Sequence, residues 1–405
     1  MIVDRMIFDS IKNSMENFPC VFLWGSPNIG KTIIVEKLGK YSFVFTLNNK
    51  HHLQRIKADT DGFFSRCYKT VVLEDVQQFP QVLHDLERLM QKTDFPCGSF
   101  LLTSNASPML LNYNAGEGSG YISCVNVGGF QLAETWKRPR SRLCDYIISR
   151  QPEKFHTLKC LYTHSELLLS CLTGSYPEPA LNRLNRSFCH QWYSKQLHSL
   201  MDQQIKGFRR EPQASLEQIL YQLAQLSANG LPVENLSPRF SARTLKCHMK
   251  ILEGTGLWRT LPTAPTITQC SENRAFGLVR DSGLLCHMLK IGSVKELESH
   301  DLFPAIWRSF IWEELLRGFS DRLVPIKVYC NVETHDSILF LEGSFGTVLI
   351  GLQTDWSLHS HRHISCTLEA KVSSYKNDCY GILFSLGTRI RQLSEKLFEV
   401  PVGCL

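Results

Sequence analysis

One stretch constrains this chain more than any other: Val21-Phe-Leu-Trp-Gly-Ser-Pro-Asn-Ile-Gly-Lys-Thr32. Gly25, Gly30, Lys31 and Thr32 fill the G-x-x-x-x-G-K-T spacing of a phosphate loop. Glycines let the backbone curl so that its N–H groups converge on an anion. A lysine adds a point charge beside the β and γ phosphates, and a threonine hydroxyl suits Mg²⁺. A helix that starts at Lys31 turns its positive end toward the same anion. The apolar run before the loop reads as a buried strand. Ile33, Ile34, Val35 and Leu38 after it read as a helix. A chance match to the motif is the weaker reading in that context. Gly25, Ser26, Pro27, Asn28, Ile29, Gly30, Lys31, Thr32 and Ile33 are the candidate nucleotide-binding set.

Composition narrows the rest. The chain has 405 residues, 43% hydrophobic and 20% charged, an ordinary globular balance with ample core for several domains. The net charge of +6 permits nucleic-acid contact without arguing for it. Its 15 cysteines never form C-x-x-C, so a secreted disulfide framework or a cysteine metal site is disfavoured against reduced cytosolic thiols. No apolar run approaches the roughly 20 residues of a membrane span, and the first residues lack a signal-peptide pattern. A cytoplasmic protein is expected.

Three further apolar runs follow, and two of them end in polar groups. Phe43 to Leu47 is a plausible strand. Thr70 to Asp75 is a β-type run closing on Glu74 and Asp75. Those acids either serve Mg²⁺ and the attacking water or simply cap the next helix. Ser99 to Asn105 ends in Thr103, Ser104 and Asn105, small polar groups suited to a γ-phosphate or a water. Strands alternating with helices predict a parallel sheet, with ligands at the carboxyl ends of its strands. Asn112 to Gly129, with five glycines, reads as a connection rather than a core element.

From Asp145 to Gln204 the pattern is helical, broken sharply at Gly174-Ser-Tyr-Pro-Glu-Pro179. Leu216 to Ser227 is a helix, Asn229-Gly230 a turn, and Pro238 to Ser241 leads into a helix over Ala242 to Leu252. Leu257 to Leu261 is a short strand. This is the outline of a winged helix-turn-helix. Arg243, Lys246 and Lys250 fall on its outer side, either facing nucleic acid or merely solvated. Ala305 to Phe319 reads as an amphipathic helix. Strands are expected over Val324 to Cys330, Ser337 to Leu341 and Thr347 to Leu352, and a helix over Thr388 to Leu397. His359, His361 and His363 would share one face of a strand, though a solvated loop is the favoured reading over zinc.

These motifs, in this order, resemble archaeal and bacterial ATPases that fuse an AAA-type P-loop module, a winged helix and a C-terminal domain related to restriction endonucleases. The resemblance rests on Glu74-Asp-Val-Gln-Gln-Phe-Pro80, Leu102-Thr-Ser-Asn105, Gly174-Ser-Tyr-Pro-Glu178, Leu252-Glu-Gly-Thr-Gly-Leu257, Asp281-Ser-Gly-Leu-Leu285 and the Pro401 segment. It implies an α/β fold with four parts: a P-loop core over residues 1–145, a helical lid over 146–212, a winged helix over 213–266 and a small α/β nuclease-like domain over 267–405. ATP and Mg²⁺ are the implied cofactors. Thr32, Glu74 and Asp75 would hold the metal; Glu74, Asp75 and Asn105 would be catalytic; Ser104 and Pro177 would join the nucleotide site.

The departures temper the activity. The acidic pair is inverted relative to the family's Asp-Glu, and a carboxylate displaced by about 1.5 Å can cost ~100-fold in rate. The family's arginine after the polar strand is replaced near Gly120-Tyr121. In the last domain Asp336, Ile338, Gln353 and Asp355 stand where a metal-dependent nuclease needs clustered carboxylates and a lysine. Glu369-Ala-Lys371 is a separate Glu-x-Lys, best explained by chance. The expectation is a slow Mg-dependent ATPase that works as a nucleotide-gated switch with a degenerate nuclease-like domain. The alternative is a DNA-binding or scaffold protein with structural nucleotide. An active nuclease using Glu369 and Lys371 ranks third.

Overall fold

The computed structural model of the chain describes residues 3–39, 43–65, 69–113, 120–201, 213–227, 241–263, 276–332, 337–355, 358–375 and 378–405. Lys206 to Pro212, the Asn229-Gly230 turn, Pro238 to Phe240 and Asp336 lie outside the described residues. The chain divides into two units. The first holds Met1–Gly129, Met249–Leu257 and Asp321–Leu323; the second holds Phe130–His248, Trp258–Ser320 and Val324–Leu405.

The first unit is an α/β layer structure. Its strands are β1 (Cys20–Trp24), β2 (Phe43–Thr46), β3 (Val71–Glu74), β4 (Phe100–Ser104) and β5 (Ile122–Asn126). They form one sheet in the order β2-β3-β4-β1-β5, with every pairing parallel. Parallel strands covered on both faces must be apolar throughout, and Cys20, Val21, Phe22 and Leu23 are all fully buried. The helices are α1 (Phe8–Asn17), α2 (Lys31–Leu38), α3 (Lys50–Ala58), α4 (Thr60–Ser65) and α5 (Gln81–Lys92). α5 shows why such helices form: Val82, Leu83, Leu86, Leu89 and Met90 make one buried stripe at helical spacing. Truncating one of these, such as Leu86, to alanine costs about 2–5 kcal/mol.

One expectation fails here. The glycine-rich connection contains β5, which pairs with β1 from Cys20↔Ile122 to Trp24↔Asn126. Five residues with two polar members carry a weak local signal, and pairing with the central strand decides the outcome.

The second unit holds two sheets and a set of helices. Its helices are α6 (Leu132–Trp136), α7 (Leu143–Ile148), α8 (His164–Thr173), α9 (Pro177–Leu181), α10 (Arg186–Ser199) and α11 (Gln213–Leu226). α12 (Ala242–Gly254) follows, its residues from Met249 on belonging to the first unit, then α13 (Ser282–Met288), α14 (Val294–Ser299), α15 (Phe303–Ser320) and α16 (Leu358–Ser374). β6 (Trp258–Leu261) and β7 (Phe276–Val279) form an antiparallel pair. The larger sheet contains β8 (Lys327–Val332), β9 (Ser337–Gly343), β10 (Gly346–Leu352), β11 (Cys379–Ser385), β12 (Arg391–Ser394) and β13 (Leu397–Pro401), in the order β12-β13-β11-β10-β9-β8. β8, β9 and β10 are antiparallel neighbours, and β10, β11 and β13 run parallel. α16 joins β10 to β11, and its Ile364, Leu368 and Val372 pack into the core with Leu349 and Leu383.

Three expectations are corrected in this unit. Thr388 to Leu397 is not helical. Ile390, Leu393 and Leu397 have helical spacing, but β12 turns back on β13 and pairs with it, leaving Leu393 exposed. His359, His361 and His363 lie on α16, neither on a strand nor in a loop. Finally, α15 is buried along its length from Ala305 to Phe319 rather than amphipathic. Its two acids are paired with guanidiniums. Glu313 meets Arg259 and Arg280, and Glu314 meets Arg317 at 2.7 Å. Burial alone would raise the Glu313 carboxyl, but the two guanidiniums hold it at about 2.

Candidate phosphate-loop site

The phosphate loop sits at the carboxyl end of β1, and register brings the other candidates level with it. Trp24 pairs with Ser104, Leu73 with Leu102, and Thr46 with Glu74. The carboxyl ends of β1, β4, β3 and β2 therefore finish together. The chain leaves β1 for one edge of the sheet and only later adds β5 on its other side. This is the kind of crevice that open α/β sheets use for ligands.

Local chemistry explains the shape of the loop. Gly25 must be glycine, because a Cβ there would stand 2.3 Å from the Val127 carbonyl oxygen. Gly30 caps α2 at φ +96°, a left-handed conformation that favours glycine. Asn28 is also left-handed, at φ +61°, and asparagine tolerates that region. The α2 ladder opens with Ile34 N–H donating to the Gly30 carbonyl at 3.2 Å. The N–H groups of Lys31, Thr32 and Ile33 thus belong to the first turn, where a helix offers no internal acceptor. Two residues outside the motif brace the loop. The buried Arg5 donates to the carbonyls of Ile29 at 2.9 Å and Gly128 at 2.8 Å. Ser26 Oγ donates to the Thr255 carbonyl at 2.7 Å. Thr255 lies in the Leu252-Glu-Gly-Thr-Gly-Leu257 stretch, so that turn belongs to the first unit with the loop.

Lys31 is the centre of the site. Its buried Nζ donates to the carbonyl oxygens of Gly25 at 2.7 Å and Ser26 at 2.9 Å, and to Asn105 Oδ1 at 2.8 Å. Burial pushes its pKa down to about 7, while the charge of Asp75 works the other way. The two acids differ in setting. Glu74 ends β3 half-buried, with a hydrogen bond to Thr32; burial, then the charge of Asp75, raise its pKa. Asp75 turns left-handed at φ +60°, and its carboxylate accepts from Asn48 Nδ2 at 2.5 Å, Thr46 Oγ1 at 3.2 Å and Gln77 Nε2 at 2.9 Å. Gln77 in turn accepts the Asn105 N–H at 3.1 Å. One chain of hydrogen bonds therefore runs Lys31–Asn105–Gln77–Asp75. Arg5, Thr46, Asn48, Gln77 and Thr255 were not among the sequence candidates. Gln77 and Thr255 had a signal, in the Glu74–Pro80 and Leu252–Leu257 stretches that carry the resemblance.

The remaining candidates take these places. Thr103 and Ser104 are buried at the end of β4, and Ser104 Oγ accepts the Ala106 N–H at 2.9 Å. Pro27 is buried within the loop, and Ile33, just after it, is exposed. Pro177 opens α9 in the second unit. Arg243, Lys246 and Lys250 are exposed on α12. Ile338 is buried on β9, Gln353 Oε1 accepts the Leu386 N–H at 3.2 Å, and Asp355 is exposed. Glu369 and Lys371 lie on α16, not on a strand. Among the described residues, no three His, Cys, Asp or Glu side chains are grouped to hold a metal, and no helix is long and apolar enough to cross a membrane.

Two further stretches that carry the resemblance meet inside the second unit. Asp281 caps α13 by accepting the Leu284 N–H at 2.7 Å. The same carboxylate takes the Ser175 N–H at 2.7 Å, Ser175 Oγ at 2.9 Å and the Tyr193 hydroxyl at 2.8 Å. Gly174, at φ +73°, has no room for a Cβ, which would stand 2.3 Å from that hydroxyl. The Gly-Ser-Tyr-Pro turn and the Asp-Ser-Gly-Leu-Leu turn are thus two halves of one buried knot.

Comparison with known proteins adds little to this geometry. A family model described as "Domain of unknown function (DUF8612)" matches residues 165–295. No curated protein matches the chain. Among solved structures, the Walker-type ATPase of Pyrococcus abyssi aligns at 12% identity over 71% of this chain and 96% of its own, with a TM-score of 0.42. The ORC1 protein of Aeropyrum pernix, solved in complex with DNA, aligns at 12% identity over 73% and 95%, with a TM-score of 0.29. A signal transduction ATPase with numerous domains and a tetratricopeptide repeat sensor, from Pyrococcus horikoshii, aligns at 14% identity over 80% and 48%, with a TM-score of 0.25. At these scores and identities, none of the three likenesses says what this chain binds or does.

Proposed function

We propose that the first unit binds a nucleoside triphosphate with Mg²⁺ and hydrolyses it slowly, as a nucleotide-gated switch. The observation that carries this reading is the buried Lys31 ammonium, held by the loop carbonyls and Asn105 at the strand ends where Thr32, Glu74 and Asp75 gather. The first-turn N–H groups and Lys31 would hold the phosphates. Thr32, Glu74 and Asp75 form a hard oxygen donor set that fits Mg²⁺. The fit is supported by the setting of Glu74, whose pKa is raised first by burial and then by the charge of Asp75, a repulsion that a divalent cation would relieve. When bound, the ion supplies neutralisation of developing phosphate charge. Glu74, bonded to Thr32, is assigned to the metal side, and Asp75 and Asn105 to orienting water. Asp75 already accepts from three side chains, which argues for slow turnover. The test is phosphate release from Mg-ATP, alone and with DNA. Slow release that disappears in Lys31→Ala supports the reading; binding without any release favours the second one.

That second reading is a DNA-binding or scaffold protein with structural nucleotide. Its support is the exposed trio Arg243, Lys246 and Lys250 on α12, which is followed by the β6–β7 pair in the manner of a winged helix. For the last domain, the order α15, β8, β9, β10, α16, β11 supports a restriction-endonuclease-like core. Gln353 brings no charge to a metal, and Glu369 and Lys371 stand on a helix, so we assign it no nuclease activity. Incubation with DNA and RNA, with Mg²⁺ or Mn²⁺, tests that assignment. Cleavage lost in Asp336→Ala or Lys371→Ala would reverse it.

A further inference from the structure

We infer that Cys160 and Cys404 form a thiol–disulfide exchange site whose co-reactant is a low-molecular-weight disulfide such as oxidised glutathione. Both residues belong to the second unit, and their Sγ atoms are 3.4 Å apart. A disulfide needs the sulfurs roughly 1.4 Å closer. The backbone already holds the two segments together. The N–H groups of Leu161 and Tyr162 donate to the Gly403 carbonyl at 2.7 and 3.2 Å. Ser141 Oγ donates to the Cys404 carbonyl. Gly403 permits this approach, because a Cβ there would stand 2.5 Å from the Tyr162 carbonyl oxygen.

The two thiols differ in the way such a site requires. Cys160 is exposed and open to a small oxidant, whereas Cys404 is buried with its Sγ against Cys160 Sγ. Burial, then the adjoining Cys160, raise the Cys404 pKa, so Cys160 is the thiol that reacts first. The Cys160 thiolate attacks oxidised glutathione, forms a mixed disulfide and releases one glutathione thiolate. The Cys404 thiolate then attacks Cys160 Sγ, breaks the mixed disulfide and releases the second. Two electrons pass from the protein thiols to the oxidant, and the two thiol protons go to the departing glutathiones through solvent. Lys159 and Leu161, which flank Cys160, line a cavity of about 490 Å³ with Arg140, Ser141 and Arg142. The bond would therefore fix one wall of a basic cavity.

The test is to incubate the full chain with oxidised glutathione, quench and alkylate in acid, digest without reductant and map the peptides by mass spectrometry. Wild type should give a Cys160–Cys404 linked peptide pair that reverts with dithiothreitol, while the exposed Cys97, Cys247 and Cys366 carry only glutathione. Cys404→Ser should trap glutathione on Cys160, and Cys160→Ser should leave Cys404 as a free thiol. A wild-type protein in which Cys160 keeps a stable glutathione adduct and Cys404 remains alkylatable would overturn the inference. So would Cys404 linked to any other cysteine.

Discussion

The Asn105 side-chain oxygen accepts a hydrogen bond from the Lys31 ammonium at 2.8 Å, while the Asn105 N–H donates to Gln77 Oε1. The end of β4 thus steers the phosphate-loop lysine. A hydrogen bond to a charged group contributes about 1.5–3 kcal/mol. Asn105→Ala is expected to weaken Mg-ATP binding roughly ten-fold, since each 1.4 kcal/mol is about a decade. Calorimetric titration of the variant checks this, and an unchanged Kd would count against the steering role.

Burial places the Lys31 pKa at about 7, so its charge is in play near neutrality. A polyanion binds the charged form. Affinity should be flat below about pH 7 and fall by up to about ten-fold per pH unit above it. Proton uptake on binding at about pH 8, measured in two buffers of different ionisation enthalpy, reports the same linkage. For folding, the depressed lysine makes the unfolded chain bind more protons between about pH 7 and its ordinary value. Its contribution to stability therefore rises with pH across that window. An Mg-ATP affinity independent of pH from about 6 to 9 would show that Lys31 stays charged throughout.

The acids should separate in their phenotypes. Glu74→Gln removes the carboxylate bonded to Thr32 and should raise the Mg²⁺ concentration needed for half-maximal turnover. Asp75→Asn puts an amide against three donors, so it should lower turnover and also destabilise the first unit by about 1–3 kcal/mol. Denaturant melts and Mg²⁺ titrations distinguish them. If both variants hydrolyse ATP at the wild-type rate, the carboxylates have no catalytic part.

Asp281→Ala leaves the donors of Ser175 and Leu284 without their shared acceptor, while the Tyr193 hydroxyl keeps only the Thr173 carbonyl at 2.9 Å. Each buried orphan costs roughly 1–3 kcal/mol, so the melting transition of the second unit should fall sharply or vanish. Gly174→Ala should act similarly through the Tyr193 clash. A wild-type melting curve for Asp281→Ala would show that the knot is dispensable.

On the second reading, alanine at Arg243, Lys246 and Lys250 together should weaken DNA binding and flatten its dependence on salt, since each phosphate contact steepens that slope by about one. Unchanged curves would make the trio a solvated face.

The sequence made some of this legible because some of it is local. The G-x-x-x-x-G-K-T spacing, the apolar run of β1 and the polar ends of β3 and β4 need only neighbours in the chain to be read. β5 was hidden because its five residues gain their structure from β1, not from their own pattern. The segment of β12 and β13 carries a helical spacing that sheet pairing overrides. α15 looked one-sided until Arg259 and Arg280 supplied partners for Glu313 from the fold, beside the local Glu314–Arg317 pair on the helix itself. The bracing of the loop by Arg5 and Thr255 joins residues far apart in the chain, and no spacing announces it.

The measurement closest to the central claim is calorimetric titration of Mg-ATP into wild type and Lys31→Ala, with circular dichroism confirming that both are folded. Wild type should bind saturably and the variant at least about ten-fold more weakly, the loss of one charge-assisted contact. Equal affinity in the two proteins, or no binding by wild type, would contradict it.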